Sequence, residues 1–166
     1  MGFHQSKGHG DQAEQLVATY LKSCGIESEF AGKNPDYDLL CKSGRTKFTI
    51  ECKFDMKSEE TNNLCIEIFN PKSDRPSGIT SSKADLIAFV LPDGSNRTIW
   101  FASLFALRKF IGEVPPKKRV ELGGDSNATL LLYNVFVILG AVFHRLDTLD
   151  CKGASALIKK LLKESK

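Results

Sequence analysis

The stretch DLLCKSGRTKFTIECKFD, residues 38–55, decides the fold because it contains two strand patterns on either side of a turn. The first, 38–42, is short and mostly apolar; the second, 47–55, alternates between apolar and polar residues. Residues 43–46 between them, Ser-Gly-Arg-Thr, favour a tight turn. The stretch therefore predicts a β-hairpin. The polar face of its second strand consists of Thr49, Glu51, Lys53 and Asp55.

The turn position determines which polar residues of the hairpin face each other. A two-residue turn at Gly44-Arg45 places Asp38 opposite Glu51, with Cβ atoms about 5 Å apart. A turn at Ser43-Gly44 would instead pair Asp38 with Thr49 and make Glu51 a diagonal neighbour on the same face. Any loop of even length keeps Asp38, Glu51 and Lys53 together, whereas an odd loop without a bulge separates them.

Two carboxylates held this close repel each other, and a divalent cation relieves the repulsion. Their oxygen atoms favour Mg²⁺ or Mn²⁺ over softer metals. A lysine beside such an ion orients or deprotonates a water molecule and offsets charge on a phosphate. The pattern therefore predicts metal-assisted hydrolysis of a phosphodiester.

The residues around the hairpin resemble the signature of the PD-(D/E)XK nuclease superfamily. That signature has an acid at the start of one strand and an acid-x-Lys on the next, which Pro35-Asp36-Tyr37-Asp38 and Glu51-Cys52-Lys53 match. Asp36 matches the literal Pro-Asp dipeptide, but the spacing of Asp38 places it across from the second acid. Many members also carry an acid on the first helix, and Glu14 fits this position.

Three further segments, residues 61–67, 77–79 and 83–85, are similar to phage and bacterial nucleases of this superfamily. The resemblance covers about residues 10 to 110. It implies an α/β protein with a restriction-endonuclease-like mixed sheet. In that fold an antiparallel hairpin carries the site, helices flank the sheet, and the core has the order αβββαβ.

The resemblance also implies a Mg²⁺-dependent DNA endonuclease in which Mn²⁺ substitutes for Mg²⁺. Asp38 and Glu51 would bind the metal, Glu14 would be an outer or second-metal ligand, and Lys53 would position the attacking water. The expected partners are DNA and a second copy of the chain in a homodimer, with no membrane. Alternatives are a Holliday-junction resolvase of the same superfamily, a catalytically silent DNA-binding module on this fold, and a plain structural protein.

Each site residue also has a purely structural interpretation. Glu51 and Lys53 form a plain surface ion pair in this view, and Asp38 hydrogen-bonds a turn. Glu14 follows Asp11 by three positions, which resembles a helix capping box. Asp55 is expected outside the metal's ligand set. Glu67 either joins the metal site from the third strand or lies on the plain surface, and the surface position is favoured.

Basic residues after the predicted site form a second candidate region. Lys117, Lys118 and Arg119 are expected to contact the duplex backbone, and the alternative is a solvated surface. Lys83, with Ser81 and Ser82, either contacts phosphate or caps the strand that follows.

The whole chain has 166 residues and a net charge of +3, with 42% apolar and 26% charged residues, which excludes general disorder. We expect a polar N-terminal tail over 1–10 and one domain over 11–166. We expect no signal peptide and no membrane span, and the five cysteines form an odd set without a C-x-x-C pair. A reduced, cytoplasmic protein of a bacterial or phage-infected cell is therefore expected.

Pattern and turn chemistry predict the remaining elements. Helices are expected over 11–23, from a Ser103 cap to 111, and over 154–163. Strands are expected over 64–69, 84–91 and 98–102, the second covered on both faces. Residues 70–82 and 113–127 are expected to be irregular, and the apolar run after Ala128 is ambiguous, with Asn134 as its dividing residue.

Overall fold

Ten strands and five α-helices make up the part of the chain that the computed structural model describes, residues 3–34, 36–123 and 127–165. The helices are α1 (Phe3–Ser23), α2 (Ser58–Thr61), α3 (Leu104–Glu113), α4 (Val135–Val142) and α5 (Cys151–Glu164). The strands are β1 (Glu27–Phe30), β2 (Leu39–Ser43), β3 (Thr46–Phe54), β4 (Asn63–Asn70), β5 (Arg75–Pro76), β6 (Leu86–Asp93), β7 (Asn96–Ser103), β8 (Lys118–Leu122), β9 (Ala128–Asn134) and β10 (His144–Arg145). A short 3₁₀ turn, Gly78–Thr80, follows β5.

The strands form two sheets. The main sheet has the order β1-β2-β3-β6-β7-β10 and is mixed, because β3 and β6 pair in parallel while its other neighbours pair antiparallel. The second sheet has the order β5-β4-β9-β8 and is antiparallel throughout. The protein is therefore a mixed α/β protein, as the sequence predicts at this level.

Two apolar cores cover the two faces of the main sheet. Leu86, Ala88 and Val90 of β6 pack with α1 and α5, and the alternate residues Ile87 and Phe89 pack with α3, α4 and the second sheet. Both faces of this strand are buried, as its near-continuous apolar sequence predicts. The main sheet is thus a layer between two helix-bearing layers.

The hairpin of β2 and β3 has the predicted register. Its pairs run from Leu39↔Ile50 to Ser43↔Thr46, with Gly44 and Arg45 as the two-residue turn. Gly44 has φ of +60°, which glycine adopts without steric cost and which the first position of a tight hairpin turn requires. The choice of this turn over the alternative at Ser43-Gly44 is therefore settled.

The predicted N-terminal tail over 1–10 is wrong for residues 3–10, because α1 begins at Phe3. A polar sequence without apolar periodicity does not by itself exclude a helix. Met1 and Gly2 lie outside the described residues.

The apolar run after Ala128 divides at Asn134, as the sequence suggests. β9 ends at this residue, and its side-chain Oδ1 accepts hydrogen bonds from the N–H groups of Phe136 and Val137 at 3.0 and 3.2 Å. Ser103 caps α3 in the same way, accepting from Ala106 N at 3.0 Å.

The segment expected to be irregular over 113–127 contains β8, which pairs with β9. β4 lies in the second sheet, and the connection from β3 to β6 has only the four-residue helix α2 together with β4 and β5.

None of the helices in the described ranges is long and apolar enough to cross a lipid bilayer.

Candidate active site

Asp38 lies at the point where β2 begins, and it forms two hydrogen bonds with the backbone of β3. Its N–H donates to the Ile50 carbonyl at 3.0 Å, and its Oδ2 accepts from Cys52 N–H at 2.7 Å. These two partners are the chain neighbours of Glu51, so the carboxylate is held beside Glu51 by the hairpin itself. Burial and the charge of Glu51 raise the pKa of Asp38, against the opposing effects of the Cys52 N–H and Lys53.

Glu51 and Lys53 form an ion pair on the polar side of β3. Nζ of Lys53 lies 2.5 Å from Oε1 of Glu51, and their side chains are 34% and 10% exposed. Burial disfavours the charged ammonium, but the attraction of Glu51, Asp38 and Glu67 outweighs it and raises the pKa of Lys53. The pair is therefore mostly shielded from solvent. The alternative interpretation, a plain ion pair on the surface, does not describe it.

Glu14 approaches the same charges from α1. Ala13 and Val17 on either side of it are buried against the main sheet, and Glu14 itself is half-buried. Burial, then repulsion from Asp38, Asp11 and Glu51, raise the pKa of Glu14 to about 7. Because α1 begins at Phe3, Asp11 and Glu14 are interior helical residues, and the capping-box interpretation is wrong.

The three carboxylates of Glu14, Asp38 and Glu51 thus influence one another electrostatically around a single lysine. Burial first, and then the neighbouring carboxylates, raise the pKa values of Glu14 and Asp38, and the donor atoms of all three side chains are oxygen. This chemistry fits a hard divalent cation. Within the described ranges, no three Asp, Glu, His or Cys side chains already converge as a ligand set.

Comparisons with protein-family models, curated proteins and solved structures give no match to this chain.

Glu67 lies closer to this group than its sequence pattern suggests. It lines a cavity of about 220 Å³ together with Lys53 and Phe89, and its charge contributes to the raised pKa of Lys53. Gly78 presses against it, since a Cβ built on Gly78 would lie 2.4 Å from the Glu67 carbonyl oxygen. Glu67 is on the second sheet, so only the packing of the two sheets reveals its position.

Asp55 has a structural role outside the group of Asp38, Glu51 and Lys53. It is buried, and its two oxygens accept from Lys57 N–H at 3.1 Å and from Cys65 N–H at 2.8 Å. These bonds tie the end of β3 to β4. Asp55 therefore stabilises the connection between the two sheets.

Asp36, the acid of the literal Pro-Asp dipeptide, forms an exposed ion pair with Lys83, with Nζ 3.1 Å from Oδ2. Its carbonyl accepts from Lys83 N–H and from Oγ of the buried Ser82. Ser82 thus fixes the segment before β2, and Lys83, whose side chain is 74% exposed, remains accessible. Pro35 lies outside the described residues.

The other predicted DNA contacts lie on the second sheet. Lys117, Lys118 and Arg119 are exposed at the start of the edge strand β8, and Nζ of Lys117 donates to Asn63 Oδ1 at 3.4 Å. Arg108, which precedes them on α3, forms hydrogen bonds within the protein. Its guanidinium donates to the carbonyls of Ile79 and Ser82. It holds the 3₁₀ turn in place.

Proposed function

We propose that this chain is a metal-dependent nuclease of the PD-(D/E)XK type that hydrolyses phosphodiester bonds in DNA. The main support for the proposal is that Asp38, Glu51 and Lys53 lie close together at the end of the hairpin. Glu14 of α1 adds a third carboxylate to the same group. An acid and an acid-x-Lys strand are the parts of the superfamily signature, and many members add a helix-borne acid.

The order of the elements supports a restriction-endonuclease-like fold. The helix α1 precedes three antiparallel strands, β1 to β3, and after the connection β6 adds in parallel to β3. In the proposed αβββαβ core, the four-residue α2 would take the place of the crossover helix and the second sheet would be an addition.

Asp38, Glu51 and Glu14 would hold Mg²⁺ or Mn²⁺ through carboxylate oxygens. When bound, the ion polarises a phosphoryl oxygen and lowers the pKa of a water molecule. The ion pair with Lys53 involves Oε1 of Glu51, and the carboxylate has its second oxygen for a cation.

Lys53 acts on the phosphate and on the attacking water. Its raised pKa keeps the ammonium charged, so it offsets the charge that develops on the phosphate in the transition state. Glu51 fixes the direction of Nζ, and burial of the pair in a partly dry site strengthens this interaction. Lys83, Lys117, Lys118 and Arg119 would contact the DNA backbone, and a homodimer would cut both strands.

A substrate panel tests the proposal. Linear duplex, single-stranded, flapped and four-way DNA are incubated with Mg²⁺, with Mn²⁺ or with EDTA. We expect cleavage that requires the metal, and preference for four-way DNA would identify a junction resolvase. Glu51→Gln should abolish cleavage, whereas Glu29→Gln, an exposed acid on β1, should leave it intact. Equal cleavage in EDTA, or full activity of Glu51→Gln, contradicts the proposal.

A further inference from the structure

Two cysteines from distant parts of the sequence meet where α1 ends and α5 begins. Cys24 follows the last residue of α1, and Cys151 is the first residue of α5. The Cys151 Sγ donates to the Ser23 carbonyl at 3.4 Å, and Ser23 Oγ lies 4.0 Å from the Cys24 Sγ. The Cys151 thiol therefore lies against the residue that precedes Cys24 in the chain.

The surroundings separate these two thiols from the other three. Cys151 is exposed and Cys24 is half-buried, whereas Cys41 and Cys52 are buried in the core against α1. Cys65 is half-buried like Cys24, but it lies on β4 of the second sheet. Burial raises the pKa of Cys41 to about 12 and, together with the nearby Asp55, raises the pKa of Cys65 to about 12. Cys24 and Cys151 are therefore the two thiols that a reagent in solution can reach as a pair.

We propose that Cys24 and Cys151 are a redox modification site that closes to an intramolecular disulfide by exchange with a small-molecule disulfide such as oxidised glutathione. The exposed Cys151 loses its proton and attacks one sulfur of the reagent, forming a mixed disulfide and releasing one thiolate. Cys24 then loses its proton, attacks the Cys151 sulfur and releases the second thiolate. Two protein thiols are oxidised, one reagent disulfide is reduced, and the two protons pass to the released thiols.

The position of Cys151 beside Ser23 favours a reaction that closes within one chain. Because Cys24 is the next residue after Ser23, it is a nearby thiol that can resolve the mixed disulfide on Cys151. The hydrogen bond with Cys24, followed by burial and nearby charge, raises the pKa of Cys151, so exchange should quicken as pH rises.

The link would join two helices that share one core. Ala13, Val17 and Leu21 of α1 and Ile158 and Leu161 of α5 all lie in the cluster on one face of the main sheet. The closed loop spans most of the 166-residue chain, which is the case in which a cross-link restricts the unfolded state most.

The experiment compares the full chain equilibrated with oxidised and with reduced glutathione. A non-reduced digest should yield a peptide pair joined through Cys24 and Cys151, and the protein should lose two hydrogen atoms in mass. The Tm should rise by about 5–10 °C and return to its starting value after reduction.

Variants assign the effect to the pair. Cys24→Ser and Cys151→Ser should each abolish the Tm rise, and Cys65→Ser should retain it. A stable mixed disulfide on Cys151, a disulfide-linked dimer, or a Tm rise that persists in Cys24→Ser overturns the proposal. Because none of these measurements involves DNA, the result is independent of the proposed nuclease activity.

Discussion

The backbone N–H of Cys52 donates a 2.7 Å hydrogen bond to Oδ2 of Asp38, which joins the start of β2 to the far half of β3. The bond spans the position of Glu51, so the same contact that ends the hairpin ladder brings two carboxylates together. Burial, and then repulsion from Glu51, raises the pKa of Asp38 in the folded state.

Lys53→Ala should lower kcat for DNA cleavage by about 10²–10³, the usual effect of removing one group that stabilises transition-state charge. DNA affinity should change little, because Lys53 is one cation among several. Single-turnover cleavage and a binding titration measure the two effects separately. Lys47→Ala is the matched control, since Lys47 is an exposed lysine of the same strand. Cleavage by Lys53→Ala at the parent rate would show that Lys53 is not a catalytic residue and that the proposed site is wrong.

Glu14→Gln should stabilise the metal-free protein at pH 8 and leave it unchanged at pH 4. The folded-state pKa of Glu14 is about 7, above its ordinary value of 4.5, so the native state binds more protons between these values. Stability therefore falls as pH rises through this window, and the cost is complete above pH 7. After allowance for solvent screening we expect a gain of about 1 kcal/mol at pH 8.

Urea unfolding of both proteins in EDTA at the two pH values measures this difference in free energy. A gain of the same size at pH 4 would assign it to packing instead of charge. Mg²⁺ at pH 8 should stabilise the parent more than the variant, because a bound ion stabilises only the native state.

Replacement of Lys117, Lys118 and Arg119 by alanine should weaken DNA binding and flatten its dependence on salt. Each phosphate contact that is lost reduces the slope of log K against log salt by about 0.9. A triple replacement of Lys152, Lys159 and Lys163 on α5 removes the same charge from the opposite face of the main sheet. If both triple variants change the slope equally, the effect comes from net charge and not from contacts of β8.

Gly78→Ala should destabilise the fold by more than about 1 kcal/mol. Gly78 has φ of +55°, and its added Cβ would also meet the Glu67 carbonyl oxygen at 2.4 Å. Gly112→Ala in α3 is the control, since no atom lies within 4 Å of its added Cβ. Thermal unfolding compares the two, and equal Tm values would contradict the close contact with β4.

The hairpin and its register could be predicted because turn chemistry and two-residue alternation act locally. The edge strands β1 and β8 could not, since most of their residues are exposed and carry no apolar period. Their strand conformation comes from hydrogen bonds to β2 and β9, which are not visible in a local pattern.

The candidate site divides in the same way. Asp38, Glu51 and Lys53 are close in sequence, so a correct register brings them together. Glu67 reaches the cavity beside Lys53 only because β4 leaves the main sheet and packs over it. Such a placement depends on tertiary packing, and alternation along β4 indicates only which side chains share a face.

The parallel pairing of β3 with β6 has a consequence for the folding pathway. The contact between Thr49 and Asp85 links residues 36 positions apart, and the second-sheet strands β4 and β5 lie in the intervening chain. The strand that carries Glu51 and Lys53 gains its second neighbour only after this long loop has closed, which is a slow, entropically costly step. The charged site is therefore completed late, and a nascent or partly folded chain, with β3 still unpaired on one side, would lack the complete site on which the proposed nuclease activity depends.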